Sequence, residues 1–338
     1  MKKISLKDIA SLVGASPSTV SFVLNGKAKE MRISEQLAKK IKAIAAKEGY
    51  KPNQVAVSLR TGQSKILGLI VESIGGNFFG ALAKVIEHEA EKHGYRIVYC
   101  STENDLSKGR EMIRMLSNSQ VDGYLITPVE GLEKDITELI KHKKPVVLID
   151  GYFPDVAAPY VLVNNVGGVT KGMDHLIKKG YKKIAFVTVQ IDLVQIRERE
   201  DAYLAALKRN NLSSGKSLIH RLPYDYDKKT GVESLSKFIQ KHGDLDAIFF
   251  ATNYLGITGL QSISALGLRV PQDIAMICFD DHDVFSLYPP GIASIKQPVE
   301  EIGKTAINLL LKQLGKSKVA PDPGGIEIDA TLLERGST

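Results

Sequence analysis

Across 338 residues the chain has only two cysteines, no run of eighteen apolar residues and no recognisable catalytic signature. Each absence removes a class of protein. Cys100 and Cys278 end or sit inside the apolar runs 95–100 and 274–279, so both read as buried strand cysteines. Nothing near them has metal-ligand spacing, and no metal or cofactor is expected. Without a long apolar run there is no transmembrane helix, and no membrane partner is expected. Residues 1–8 are positively charged but have no apolar segment behind them, which is not a secretory signal. The cytoplasm is therefore the expected compartment. There is no GxSxG elbow, no HExxH pair and no evident Ser/His/Asp set. Gly75-Gly76 lacks the residues of a phosphate-cradling loop. An enzyme is not expected. No repeat of 20–50 residues is present.

What is there begins with charge. Residues 1–65 hold thirteen Lys/Arg against four Asp/Glu, a net of +9, while residues 66–338 have a net of −2. The basic character belongs to the first fifth of the chain. A positive small module beside a near-neutral body suggests a polyanionic partner for the module; a merely solvated charged face is the plainer alternative. The length suits two or three domains, and the hydrophobic share of 43% is that of a globular protein.

Residues 5–50 read as three short helices. The first spans about 6–13, with Leu6, Ile9, Ala10 and Val13 on one face, and stops at Gly14. Ser16 offers an N-cap oxygen and Pro17 fits the first helical position of the second. That helix turns Val20, Val23 and Leu24 inward and ends at Asn25-Gly26. A third starts after Ser34, presents Leu37, Ile41, Ile44 and Ala45, and ends at Gly49. Two helices joined by a short Gly-containing turn are the mark of a helix-turn-helix. Residues 51–64 are too polar to form a core and read as a hinge that orders on binding.

From Ile66 onward, apolar runs (66–71, 95–100, 123–127, 146–150, 161–164, 183–188, 247–251, 274–279) alternate with amphipathic stretches. That pattern predicts an α/β body of two doubly wound parallel-sheet subdomains. The expected division is a head at 1–50, a hinge at 51–64 and a body at 65–338. Within the body, one lobe takes about 65–161 and 292–320, and the other about 162–291 and 321–338. Ligands bind such folds beyond the C-terminal strand ends. Asp150, Asn253 and Asp280-Asp281 stand there, where loop starts and helix caps are the alternative. The run 280–283, Asp-Asp-His-Asp, reads better as strand-end polarity than as a metal site.

On the second helix, Pro17, Ser18, Ser21 and Phe22 face away from the apolar side and are free to reach base edges. Lys7, Lys27, Lys29 and Arg32 are placed to meet phosphates.

These residues carry a resemblance. Leu6-Lys7-Asp8-Ile9-Ala10, Gly14-Ala15-Ser16-Pro17-Ser18-Thr19-Val20-Ser21 and Val23-Leu24-Asn25-Gly26 resemble the head of LacI/GalR regulators. Gly49-Tyr50-Lys51-Pro52-Asn53 and Ser58-Leu59-Arg60-Thr61-Gly62 are similar to that family's helix end and hinge. Ile66 to Val71, Phe78-Phe79, Val121-Asp122-Gly123, Pro271-Gln272-Asp273, Phe279-Asp280-Asp281 and Lys296-Gln297-Pro298 are similar to its periplasmic-binding-protein-like body. The resemblance spans essentially the whole chain.

It implies a transcription regulator, expected to be a repressor, that binds a pseudo-palindromic operator as a homodimer. No leucine heptad follows the last strand-like run, so a dimer is expected rather than a tetramer. The implied DNA contacts are Leu6, Ser16, Pro17, Ser18, Thr19, Ser21, Phe22, Asn25, Arg32, Tyr50, Asn53, Ala56 and Leu59. Leu59 would wedge between base steps of the minor groove. The implied effector contacts are Phe78, Phe79, Asp150, Arg199, Tyr226, Asn253, Asp280 and Gln297. This set suits a sugar or sugar derivative, and would also suit a purine. Phe22 and Val57 stand where many members have Arg, Asn77 where Pro is common, and Tyr254 where Asp is common. A solute-binding protein would suit the body but not the basic head, and an enzyme on this scaffold has no catalytic constellation behind it.

Overall fold

In a computed structural model of the chain, the described residues are 4–50, 52, 57–58, 61–212, 218–315 and 324–338. They fall into two compact units, Met1–Ser64 and Lys65–Thr338.

The first unit holds α1 (Leu6–Val13), α2 (Pro17–Leu24) and α3 (Glu35–Lys47). Local chemistry sets each boundary. The Asp8 N–H donates to Ser5 Oγ at 3.3 Å, and the Ser5 N–H donates to Asp8 Oδ2 at 2.8 Å. This reciprocal pair satisfies two donors that a helix start leaves free. Gly14 ends α1 at φ 72°, a left-handed conformation that only glycine adopts at little cost. Ser16 caps α2 by accepting from the Thr19 N–H at 3.1 Å, and Ser34 caps α3 from the Leu37 N–H at 3.3 Å. Ile9, Ala10, Val13, Val20, Val23 and Ile41 form the small core, with Leu6, Leu24, Leu37, Ile44 and Tyr50 packed against it. In the hinge, Val57, Ser58 and Thr61 are helical, and Thr61 Oγ1 donates to the Val57 carbonyl at 2.9 Å.

The second unit contains two six-stranded sheets. In the first, β1 (Ile66–Val71), β2 (Arg96–Ser101), β3 (Gly123–Ile126), β4 (Val146–Ile149), β5 (Tyr160–Val163) and β11 (Gly325–Ile328) run in the order β11-β5-β4-β3-β1-β2. Every pair in it is parallel. In the second, β6 (Ile184–Gln190), β7 (Ile219–Pro223), β8 (Ala247–Phe250), β9 (Ala275–Phe279), β10 (Ala293–Lys296) and β12 (Thr331–Leu333) run in the order β12-β10-β9-β8-β6-β7. Only the β10–β12 pair is antiparallel. The helices α4 (Asn77–Lys92), α5 (Leu106–Asn118), α6 (Glu133–Lys141) and α12 (Val299–Leu314) pack in the first lobe. In the second lie α7 (Asn165–Lys178), α8 (Val194–Arg209), α9 (Lys228–Lys241), α10 (Asn253–Ala265) and the short α11 (Asp283–Leu287).

The lobe boundaries differ from the sequence expectation of 65–161 with 292–320 and 162–291 with 321–338. β10 belongs to the second sheet, and β11 to the first. The chain therefore changes lobes after β5, after β10 and after β11. The reason is packing. Ala293, Ser294 and Ile295 are buried beside β9, whereas α12 carries Ile302, Ala306, Ile307 and Leu310 onto the first lobe.

β1 lies between β2 and β3, and β6 between β7 and β8. The strand order reverses at these two places. The loops leaving the C-terminal ends of β1 and β6 diverge there and open a crevice.

Candidate functional site

The body's cleft lies at those strand ends. Glu72 and Ser73 follow β1, Asn104 follows β2 and Asp150 ends β4. From the second lobe come Ile191 after β6, Tyr224 after β7, Thr252 after β8, Asp280 after β9 and Gln297 after β10. The N-terminal turns of α4 and α10 and the first two turns of α8 complete it with Asn77, Phe78 and Phe79, then Asn253 and Tyr254, and Gln195, Ile196 and Arg199. The cavity is about 660 Å³, open solvent at its mouth included.

Arg199 is the centre of the polar network and is almost fully buried. Its Nε donates to Asn165 Oδ1 at 2.8 Å, and its Nη1 donates to the Ala251 carbonyl at 2.8 Å. Asp280 Oδ2 lies 3.7 Å from Nη1. The guanidinium sits over the Phe279 ring at 3.8 Å, a cation–π contact that also holds it flat. The same ring bears on Gly168 of α7, where a Cβ would stand 2.8 Å from Phe279 Cε2. Glycine there lets α7 approach the sheet beneath the site. Gln297 Nε2 donates to Asp280 Oδ1 at 2.6 Å.

Three carboxyls share this space. Burial pushes Asp150 up to about 8; Arg199 opposes the shift, and the charges of Asp280 and Glu72 add to it. Burial also raises Asp280, against the pull of Arg199 and Gln297. For Asp280 the ion pair is real in geometry, yet loss of water outweighs it. Glu72 is raised by burial, although it accepts from Tyr224 Oη at 2.7 Å. That bond joins the first lobe to the second.

Seven of the eight residues expected to meet an effector line this one cavity: Phe78, Phe79, Asp150, Arg199, Asn253, Asp280 and Gln297. Tyr226 does not. Its ring packs on Gly231, and its hydroxyl is 2.8 Å from Thr258 Oγ1. Tyr224, two residues earlier, takes the aromatic place. Glu72, Asn104, Gln195, Tyr224 and Tyr254 also line the cavity and were not expected. Glu72 stands one residue past a strand, the same signal that picked out Asp150, so it was findable. In the acidic run, Asp281 accepts from Arg335 Nη1 at 2.7 Å and from Ser294 Oγ at 2.7 Å, and His282 caps α11.

In the first unit, the outer face of α2 is open. Ser16, Pro17, Ser18 and Asn25 are exposed, and Thr19, Ser21 and Phe22 are half-buried, while Val20 and Val23 are buried. Ser16 Oγ is engaged as the cap. Asn25 Nδ2 donates to the Ser21 carbonyl at 2.6 Å. Arg32 is exposed. Leu6 and Tyr50 lean on the head's core and offer only part of their surface. Asn53, Ala56 and Leu59 lie outside the described residues.

Two family models match the chain: bacterial regulatory proteins of the lacI family over residues 5–53, and a periplasmic binding protein-like domain over residues 173–338. The HTH-type transcriptional regulator KdgR of Bacillus subtilis (strain 168) is 32% identical over 338 residues, covering 98% of this chain and 97% of that one. The ribose operon repressor of Escherichia coli (strain K12) is 28% identical over 334 residues, covering 98% and 99%. Among solved structures, the lac repressor dimer bound to operator and an anti-inducer superposes with a TM-score of 0.87 at 23% identity, covering 99% of each chain.

Proposed function

This chain belongs to the lacI family of bacterial regulatory proteins, and on that premise we propose that it is a transcriptional repressor. It binds a pseudo-palindromic operator as a homodimer, and a small effector in the body's cleft modulates that binding. The observation that carries the reading is α2, which buries Val20 and Val23 and leaves its first turn, Pro17 and Ser18, facing out. That turn is the part of a recognition helix that meets base edges in the major groove. With no Arg or Gln on α2, readout relies on hydroxyls and apolar contact with thymine methyls. Lys7, Lys27, Lys29 and Arg32 serve the phosphates. Leu59 from each protomer wedges the central minor groove, with Ala56 beside it and Asn53 near the backbone.

The effector reading rests on the cleft. Aromatic faces, a buried guanidinium, carboxyls and amides converge there, and one relative is named for the ribose operon. Both support a sugar or sugar derivative. Every strand-end loop that lines the cleft belongs to one lobe or the other, so a ligand touching both biases their arrangement. Effector and operator then alter each other's affinity by the same factor.

In vitro selection of DNA sites at near-physiological salt tests the reading, because phosphate contacts make affinity strongly salt-dependent. A pseudo-palindrome with a flexible central step is expected. Weak binding that ignores sequence and vanishes with salt would overturn it.

A further inference from the structure

We propose that the cleft selects a ligand rich in hydrogen-bond donors and without an anionic group, and that Glu72 is a determinant of this selectivity. The proposal rests on the effector reading above and narrows it. It separates neutral or aminated sugars and nucleosides from sugar acids, sugar phosphates and nucleotides.

The charged residues lining the cavity are Glu72, Asp150, Asp280 and Arg199, with no Lys or His among the described lining. The single cation is largely committed. Asn165, the Ala251 carbonyl, Asp280 and the Phe279 ring already surround it. Acceptors are in surplus. Gln297 Oε1 is buried without a partner, in a residue only 4% exposed. A buried acceptor without a donor is costly, so this atom calls for a ligand O–H or N–H. Hydroxyls and amines supply these; carboxylates and phosphates only accept.

The N-terminal turns of α4, α8 and α10 pull the other way. Each starts at the cleft with no side-chain cap. Each brings about half a positive charge that fades within one turn. A ligand hydroxyl oxygen accepts from these amides as well. A phosphate brings about 1.5 to 2 negative charges into a space where Glu72 and Asp280 are the carboxyls left to oppose it, since Asp150, raised to about 8, is largely protonated at neutral pH. At about 6 Å and an effective dielectric of about 20, one pair of like unit charges weakens binding about 100-fold. Partial protonation of the raised carboxyls and the helix ends reduce that figure, and about 30-fold is the expected net preference.

Glu72 is distinguished by place. It is the carboxyl that bridges the lobes, through Tyr224 Oη. Glu72→Gln keeps an oxygen to accept that bond and removes the charge.

The test titrates full-length protein and Glu72→Gln by calorimetry and thermal shift. Ligands are matched: glucose, glucosamine, glucuronate and glucose 6-phosphate; ribose and ribose 5-phosphate; adenosine and its monophosphate. Expected is binding by a neutral or aminated member, about 30-fold weaker binding of its acid or phosphate, and a gap about tenfold narrower in Glu72→Gln. An acid or phosphate that binds as tightly as its parent overturns the proposal. An unchanged gap in Glu72→Gln overturns the role of Glu72. No binding by any member also overturns it. Operator selection on the same preparation then shows separately whether the DNA-binding reading stands.

Discussion

Asp150→Asn is expected to stabilise the protein, and increasingly so as pH rises. Burial lifts the Asp150 carboxyl from the ordinary carboxylate range to about 8. A group with a raised folded-state value binds its proton more tightly when folded. The stability this gives is full below the unfolded value near 4 and is lost as pH rises through about 8. Each unit is worth about 1.4 kcal/mol, so the loss between pH 4 and 8 approaches about 5 kcal/mol. Asp150 keeps some surface in contact with solvent, and cleft water reduces this to about 2–4 kcal/mol. Asn has the same shape and tolerates the left-handed φ of 60° that residue 150 adopts. The assay is urea unfolding of the ligand-free full chain, followed by circular dichroism from pH 5 to 9. The variant should lead by only roughly 1 kcal/mol at pH 5, about one unit above the unfolded value, and by about 2–4 kcal/mol at pH 8. Parallel pH profiles would refute the reasoning, because they would mean the carboxyl titrates as if in water. The gain in stability should come with weaker effector binding, as expected where a strained polar group serves a ligand.

Leu59→Ala should leave the melting temperature unchanged and lower specific operator affinity at least tenfold in gel-shift titration; unchanged affinity would remove the minor-groove wedge from the account. Ser16→Ala loses the bond from the Thr19 N–H and should cost the head about 1 kcal/mol in thermal unfolding. Arg335→Ala breaks a two-toothed contact with Asp281, at 2.7 and 3.1 Å, and should cost about 2 kcal/mol. Arg335 and Ser294 hold Asp281 below the usual carboxylate range against its burial. That stability is present above about pH 4 and fades as pH falls, so the variant should differ from the parent at pH 7 and converge with it in acid.

The sequence made some of this legible and hid the rest for physical reasons. The central strands β1, β6, β8 and β9 are buried on both faces and read as unbroken apolar runs. The edge strands β7, β11 and β12 contain exposed polar residues and carry no such signal. β10 is four residues, Ala-Ser-Ile-Lys, and nothing local says which sheet it joins. The crossings after β10 and β11 therefore leave no local mark in the sequence. In the head, each boundary has its own punctuation in Ser5, Gly14, Ser16-Pro17 and Ser34, so its helices could be placed closely. In the cleft, strand-end polarity located Asp150, Asn253 and Asp280. The choice between Tyr224 and Tyr226 depends on how the chain turns into α9, and only the close approach of Tyr226 to Gly231 decides it.

The most direct measurement is operator affinity of the full chain with and without a ligand that raises its melting temperature. The account predicts a change of about 5- to 150-fold in operator Kd, matched by the same factor in ligand Kd when operator is present. An operator Kd indifferent to a ligand that demonstrably fills the cleft would contradict it.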